Sequence, residues 1–131
     1  MSQKTIWVID DDPIYQIIVN KIIKKSELFL SVSNFKNGKE LIDALKDVLD
    51  DKITFPNVIL LDINMPVMDG WEFMEEMVLL KPQMRQSIQI YIVSSSIALE
   101  DKNKAKKYTD IIAYLSKPVN NNDLILIAAN H

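Results

Sequence analysis

Residues 58–70 read VILLDINMPVMDG. The first four are apolar with no polar alternation, the pattern of a strand buried on both faces of a parallel sheet. Asp62 ends the run. A carboxylate at the carboxyl end of a central parallel strand faces the crevice in which open α/β sheets bind ligands. Pro66 turns Met65 away from helix, and Asp69-Gly70 marks a turn that can also start a helix, so the chain bends sharply just past the acid. Taken alone, such an aspartate is a strand or turn cap. Residues elsewhere in the chain supply the partners of an active carboxylate.

Upstream, residues 5–9, TIWVI, form a second short apolar run, and Asp10, Asp11 and Asp12 follow at once. Three adjacent carboxylates repel one another unless a cation lies among them. Asp12 precedes Pro13, a favoured first-turn residue, and is assigned the helix cap. Asp10 and Asp11 then join Asp62 as candidate metal ligands. An oxygen-only donor set without cysteine points to a hard cation, and Mg²⁺ in particular works with few carboxylates, waters and a phosphate.

Outward from these runs, strand and helix patterns alternate five times. Residues 14–25 carry apolar side chains at 14, 17, 18, 22 and 23, a stripe expected to pack on the sheet. Phe29–Phe35 reads as a strand at or near an edge, with Leu30 and Val32 set against Ser31 and Ser33. Asn37-Gly38 turns into a helix marked by Leu41, Ala44, Leu45, Val48 and Leu49, and residues 50–57 form a polar connection. Residues 71–81 read as a helix with Phe73, Met74, Met77 and Val78 inward and Pro82 past its end. Residues 88–93 form a strand followed by Ser94, assigned to the crevice, and by Ser95 and Ser96, either of which can cap the next helix.

That helix, residues 97–108, has few large apolar residues and four lysines, so it is expected to be loosely held and cheap to shift. Residues 110–115 form the fifth strand, carrying Tyr114, and Lys117 follows at its carboxyl end, where an ammonium serves as a point charge for phosphate. Asn120–Asn122 introduce a short, strongly apolar last helix, residues 123–129. Such alternation gives an α/β fold: a doubly wound five-stranded parallel sheet in the flavodoxin-like order 2-1-3-4-5 with helices on both faces. In that order strands 1 and 3 are neighbours, and Asp10, Asp11 and Asp62 share one rim with Ser94 and Lys117.

The 131 residues are read as one domain, residues 1–131. With no cysteine, disulfides and thiolate metal sites are excluded, and with no apolar span or signal segment a cytoplasmic location without membrane partners is expected. The net charge of −3 argues against a chain that grips nucleic-acid phosphates.

The acid pair after IWVI, the LLDINMPVMDG segment, Ser94 after IYIV, and Lys117-Pro118 in AYLSKP together resemble the receiver domain of two-component response regulators over essentially the whole chain. The resemblance implies that Asp62 is the phosphoacceptor, loaded by a histidine kinase or histidine phosphotransfer protein. It implies that Asp11 binds Mg²⁺ directly, that Asp10 assists, and that the Asn64 backbone carbonyl completes the metal site. Ser94 and Lys117 match the residues that contact phosphoryl oxygens, Tyr114 matches the switch aromatic, and the Lys117–Pro118 peptide is expected to be cis. The expected output is a change of partner affinity on the face of the fourth helix, fifth strand and fifth helix, with a phosphorylation-dependent homodimer as a further form. Positions 64 and 96 influence acyl-phosphate lifetime in the family.

On this reading the chain is a switch and not an enzyme beyond its own phosphorylation and dephosphorylation. The alternative is a receiver excised from a longer regulator or hybrid kinase. A haloacid-dehalogenase-type phosphatase ranks lower, because it needs a second acid two positions after its nucleophile and Asn64 stands there. A pseudo-receiver ranks lower too, because every motif position is filled.

Overall fold

The computed structural model describes residues 3–50, 55–65, 67–95 and 98–130. Five strands, β1 (Lys4–Ile9), β2 (Phe29–Phe35), β3 (Val58–Leu61), β4 (Gln89–Ser94) and β5 (Ile111–Ser116), form one sheet in the order β2-β1-β3-β4-β5, every neighbouring pair parallel. Among the described residues five α-helices connect and flank them: α1 (Pro13–Ser26), α2 (Gly38–Leu49), α3 (Gly70–Leu80), which runs into a short 3₁₀ turn (Lys81–Gln83), α4 (Leu99–Ala105) and α5 (Asn121–Ala129). The expected doubly wound order is therefore the observed one.

The unbroken apolar runs follow from burial on both faces. Ile6 and Val8 of β1 and Val58 and Leu60 of β3 pack on one side with Val19 and Ile23 of α1 and Leu124 and Ile127 of α5. Their alternates, Trp7, Ile9, Ile59 and Leu61, pack on the other side with Leu41 and Leu45 of α2 and Phe73, Met74 and Met77 of α3. A strand with water on neither face has no position for a polar residue until it ends. Both acids of the rim occupy the first positions past such ends.

Several boundaries and faces differ from the sequence expectation. On α1 the buried residues are Val19 and Ile23, whereas Ile14, Ile17 and Ile18 are exposed; the apolar arc of this helix is wider than its contact with the sheet. Val78 of α3 and Leu30 of β2 are also exposed. The fourth helix is confined to Leu99–Ala105, and Ala98 stands at its N-cap with no side-chain hydrogen bond, so Ser95 does not cap it. Ser96, Pro66 and residues 51–54 of the polar connection lie outside the described residues. Among the described residues no helix is long and apolar enough to cross a membrane.

The caps expected at Asp12 and from Asn120–Asn122 are present, and Asn37, read in the sequence only as part of a turn, also caps its helix. The Asp12 carboxylate accepts from the amides of Ile14 and Tyr15, Asn37 caps α2, and Asn120 forms a capping box with Asp123 on α5. On α3, Asp69 and Glu72 form a second capping box, which fixes where the loop after β3 ends. That loop is also pinned from two sides by glycines. The Gly38 amide donates to the Met68 carbonyl at 3.1 Å, and the Gly70 amide donates to the Ile63 carbonyl at 2.9 Å.

Candidate functional site

Register brings the rim together. Ile9 pairs with Leu61 and Leu61 with Ile92, so Asp10, Asp62 and Ser94 emerge from three adjacent strands. The last ladder bonds run past the strand ends: the Asp10 amide to the Phe35 carbonyl, the Asp62 amide to the Ile9 carbonyl, and the Lys117 amide to the Ser94 carbonyl, each at 3.0 Å. Backbone pairing therefore aims these side chains before any side chain meets another. The Lys117–Pro118 peptide is cis.

Lys117 Nζ lies 2.5 Å from Asp10 Oδ2 and 3.3 Å from Asp62 Oδ2. The two carboxylates are 2% and 6% exposed, Asp11 is exposed, and one oxygen of each of the three acids falls within 4.8 Å of the others. Asp10 Oδ1 accepts from the Asp12 amide at 2.9 Å, and Asp62 Oδ1 accepts from the Asn64 amide at 3.3 Å. The Asn64 side chain is exposed.

Charge in this crevice is unbalanced. Burial, and then the charge of Asp10, push the Asp62 carboxyl above its ordinary range, while Lys117 and the Asn64 amide pull it partly back. For Lys117, burial opposes the charged form, but hydrogen bonding and charge from Asp10 and Asp62 outweigh it and hold its proton more firmly than usual. Asp10 Oδ2 is buried with Lys117 Nζ as its ion-pair partner. Three carboxylates gathered against one ammonium leave negative charge in excess, which suits a hard cation. The residues present thus fit Mg²⁺.

Ser94 is 1% exposed and shares a hydrogen bond with Tyr114. Burial raises the Tyr114 phenol, the hydrogen bond with Ser94 offsets part of this, and the charges of Asp101 and Asp62 raise it further. Tyr114 therefore lies within electrostatic reach of both the acid crevice and α4.

Two contributors escaped the sequence reading. The Tyr15 ring lies 4.6 Å from Lys117 Nζ, a cation–π contact that holds the ammonium over the crevice. The Gln16 side-chain amide donates to the carbonyls of Asp10 and Phe35, at 3.1 and 3.0 Å, and braces the ends of β1 and β2. The available signal was position: both residues lie on the first turn after the Asp12 cap, where a helix faces back over the strand it has just left.

A doubly wound parallel sheet places an acid cluster and a lysine together at its carboxyl-terminal rim, at the topological switch point where such folds bind their ligands. Residues 6–129 match the response regulator receiver domain, and the chain belongs to that family, a family of signalling switches in two-component systems rather than of enzymes. A two component response regulator from Cytophaga hutchinsonii superposes with a TM-score of 0.83 at 26% identity, covering 100% of both chains. The sensor histidine kinase CheAY of Helicobacter pylori is 30% identical over 117 residues, 89% of this chain and 13% of that protein. A protein-glutamate methylesterase/protein-glutamine glutaminase of Treponema pallidum is 28% identical over 115 residues, 86% of this chain and 26% of that protein. The chain thus spans about a quarter or less of the length of these curated relatives.

Proposed function

We propose that this domain accepts a phosphoryl group on Asp62 from a histidine kinase or a histidine phosphotransfer protein and changes its partner-binding face in response. The observation that carries the reading is the Asp62 carboxylate itself: buried at a strand end, 3.3 Å from the Lys117 ammonium and within reach of a cation shared with Asp10 and Asp11. In the transfer, an Asp62 oxygen attacks phosphorus in line, the P–N bond of the phosphohistidine breaks, and the imidazole leaves with the bonding pair and takes up a proton. Asp10, Asp11, Asp62 and the Asn64 carbonyl would hold Mg²⁺, which supplies positive charge for the phosphoryl oxygens.

Lys117 adds a second positive charge, fixed in place by Asp10 and Tyr15. The Ser94 hydroxyl reaches a further oxygen, and doing so competes with its present hydrogen bond to Tyr114. Phosphorylation adds charge and strong acceptors, so the Ser94–Tyr114 pair reorganises and repacks the face of α4, β5 and α5, where a downstream protein binds. A partner responds only if it binds the two states with different affinity.

Intact-mass measurement after incubation with Mg²⁺ and acetyl phosphate tests this. The expected result is one added phosphoryl group on the native chain and none on Asp62→Asn. An adduct of equal yield on both chains would place the phosphoacceptor elsewhere and overturn the reading.

A further inference from the structure

The aromatic cluster between α3 and α4 packs at the margin of the core that holds α2 and α3, and its polar contacts lie outside both that core and the acid crevice. Trp71, the second residue of α3, is half-buried, and its indole N–H donates to Asp101 Oδ1 of α4 at 3.1 Å. Its ring stacks on Tyr108 with centroids 6.2 Å apart, and Lys104 Nζ of α4 lies 5.8 Å from its centre. Three positions on α4 and the turn after it are thus gathered on one side chain.

Little else among the described residues holds α4. The helix has seven residues, its N-cap makes no side-chain hydrogen bond, and Ala105 is its one buried residue. A neutral donor on a carboxylate is a charge-assisted hydrogen bond, stronger than a neutral pair, and it is partly sheltered here by the stacked rings. Trp71 is thus the side-chain tie that joins α3 to α4, beside the packing of α4 on β5.

The other end of that tie is closely seated. A Cβ on Gly70 would lie 2.7 Å from the Asp62 carbonyl oxygen and 2.9 Å from Ile63 Cα, so the backbone that carries Trp71 is seated directly against the strand end that carries Asp62.

We propose that Trp71 is a positioning residue for α4: by holding Asp101, Lys104 and Tyr108 it makes the placement of α4 depend on the state of the β3 end. The proposal rests on the phosphoacceptor reading for what changes that state, but not for the tie itself. Trp71→Phe keeps an aromatic ring for the stack and deletes the donor together with one fused ring. Asp101→Asn keeps an acceptor oxygen while removing the charge, and serves as the conservative comparison.

Amide hydrogen exchange across residues 98–108 is measured with and without Mg²⁺ and beryllofluoride, a stable phosphoryl mimic, in the native chain and both variants. In the free Trp71→Phe protein these amides are expected to exchange about tenfold faster than native, as for loss of one charge-assisted hydrogen bond from a locally opening element. The change on adding beryllofluoride, present in the native chain, is expected to be lost in Trp71→Phe and retained in Asp101→Asn. Intact mass with acetyl phosphate should show the same adduct yield for all three proteins. Unchanged exchange in free Trp71→Phe overturns the tie. Faster exchange with a full beryllofluoride response gives Trp71 a structural role and overturns the coupling. A native chain that forms no adduct and shows no beryllofluoride response overturns the phosphoacceptor reading together with the coupling, while free-state exchange still decides the tie.

Discussion

Val67 sits at φ 75, one of two non-glycine residues with positive φ among the described residues, and its β-branched side chain is exposed. The left-handed region costs an L-residue about 1–2 kcal/mol, and β-branching makes the conformation less favourable still. Nothing gained by burial compensates, since the valine faces water. Val67→Gly should therefore raise stability by about 0.5–1 kcal/mol, the backbone strain relieved less the entropy a glycine loses on folding. Urea unfolding monitored by circular dichroism measures it, and a midpoint below that of the native chain would show that the side chain has an unrecognised role. At this scale Asp10, Asp62 and Lys117 were legible in the sequence because a polar residue ending an apolar run can only be a rim residue. Val67 was not, because nothing in the letters VMDG states a dihedral angle.

Elements are set by their ends more than by their stripes. The caps at Asp12, Asn37, Asp69 and Asn120 were readable from residue type and position, and each accepts from the first turn of its helix. The faces were less readable. In α1 the sequence offers isoleucine around most of the helix, and the sheet selects Val19 and Ile23, so the apolar pattern overstates the packed arc. In α4 the poverty of apolar residues correctly marks a weakly packed helix, yet the tie through Trp71 depends on a distant element and leaves no local trace. The β3–α3 junction makes the sharpest prediction at this scale. Asp69→Ala should cost about 1 kcal/mol through loss of the cap. Gly70→Ala should cost about 1–3 kcal/mol, because its Cβ meets backbone at 2.7 Å and the end of β3 must shift. Thermal unfolding compares the two, and a neutral Gly70→Ala would mean that the strand end yields freely.

For the whole molecule, the alternation of strand and helix specified a parallel sheet, and the preference for right-handed crossovers left few strand orders. The order in turn fixed which strand ends are neighbours, and so the acid site was foreseeable as a set. Its electrostatic state was not, since the Asp62 carboxyl is raised by burial and by the proximity of Asp10, against the opposing pull of Lys117. That state links metal to folding. Mg²⁺ at a hundredfold excess over its dissociation constant should stabilise the native chain by about 2.7 kcal/mol, and a chelator should reverse the effect. Asp62→Asn, with one buried charge fewer, should unfold at a higher temperature than native without Mg²⁺ and gain less from its addition. Equal Mg²⁺ responses in the two chains would show that the cation binds away from Asp62.

The phosphoryl linkage can be read directly by borohydride reduction of the chain after reaction with a phosphohistidine donor and Mg²⁺, followed by peptide mass analysis. Reduction converts an aspartyl phosphate to homoserine and leaves a free carboxylate unchanged. Homoserine at position 62, absent without donor, is the expected result. Homoserine at another aspartate, or phosphorylation retained with no homoserine at 62, would contradict the assignment of Asp62 as the phosphoacceptor.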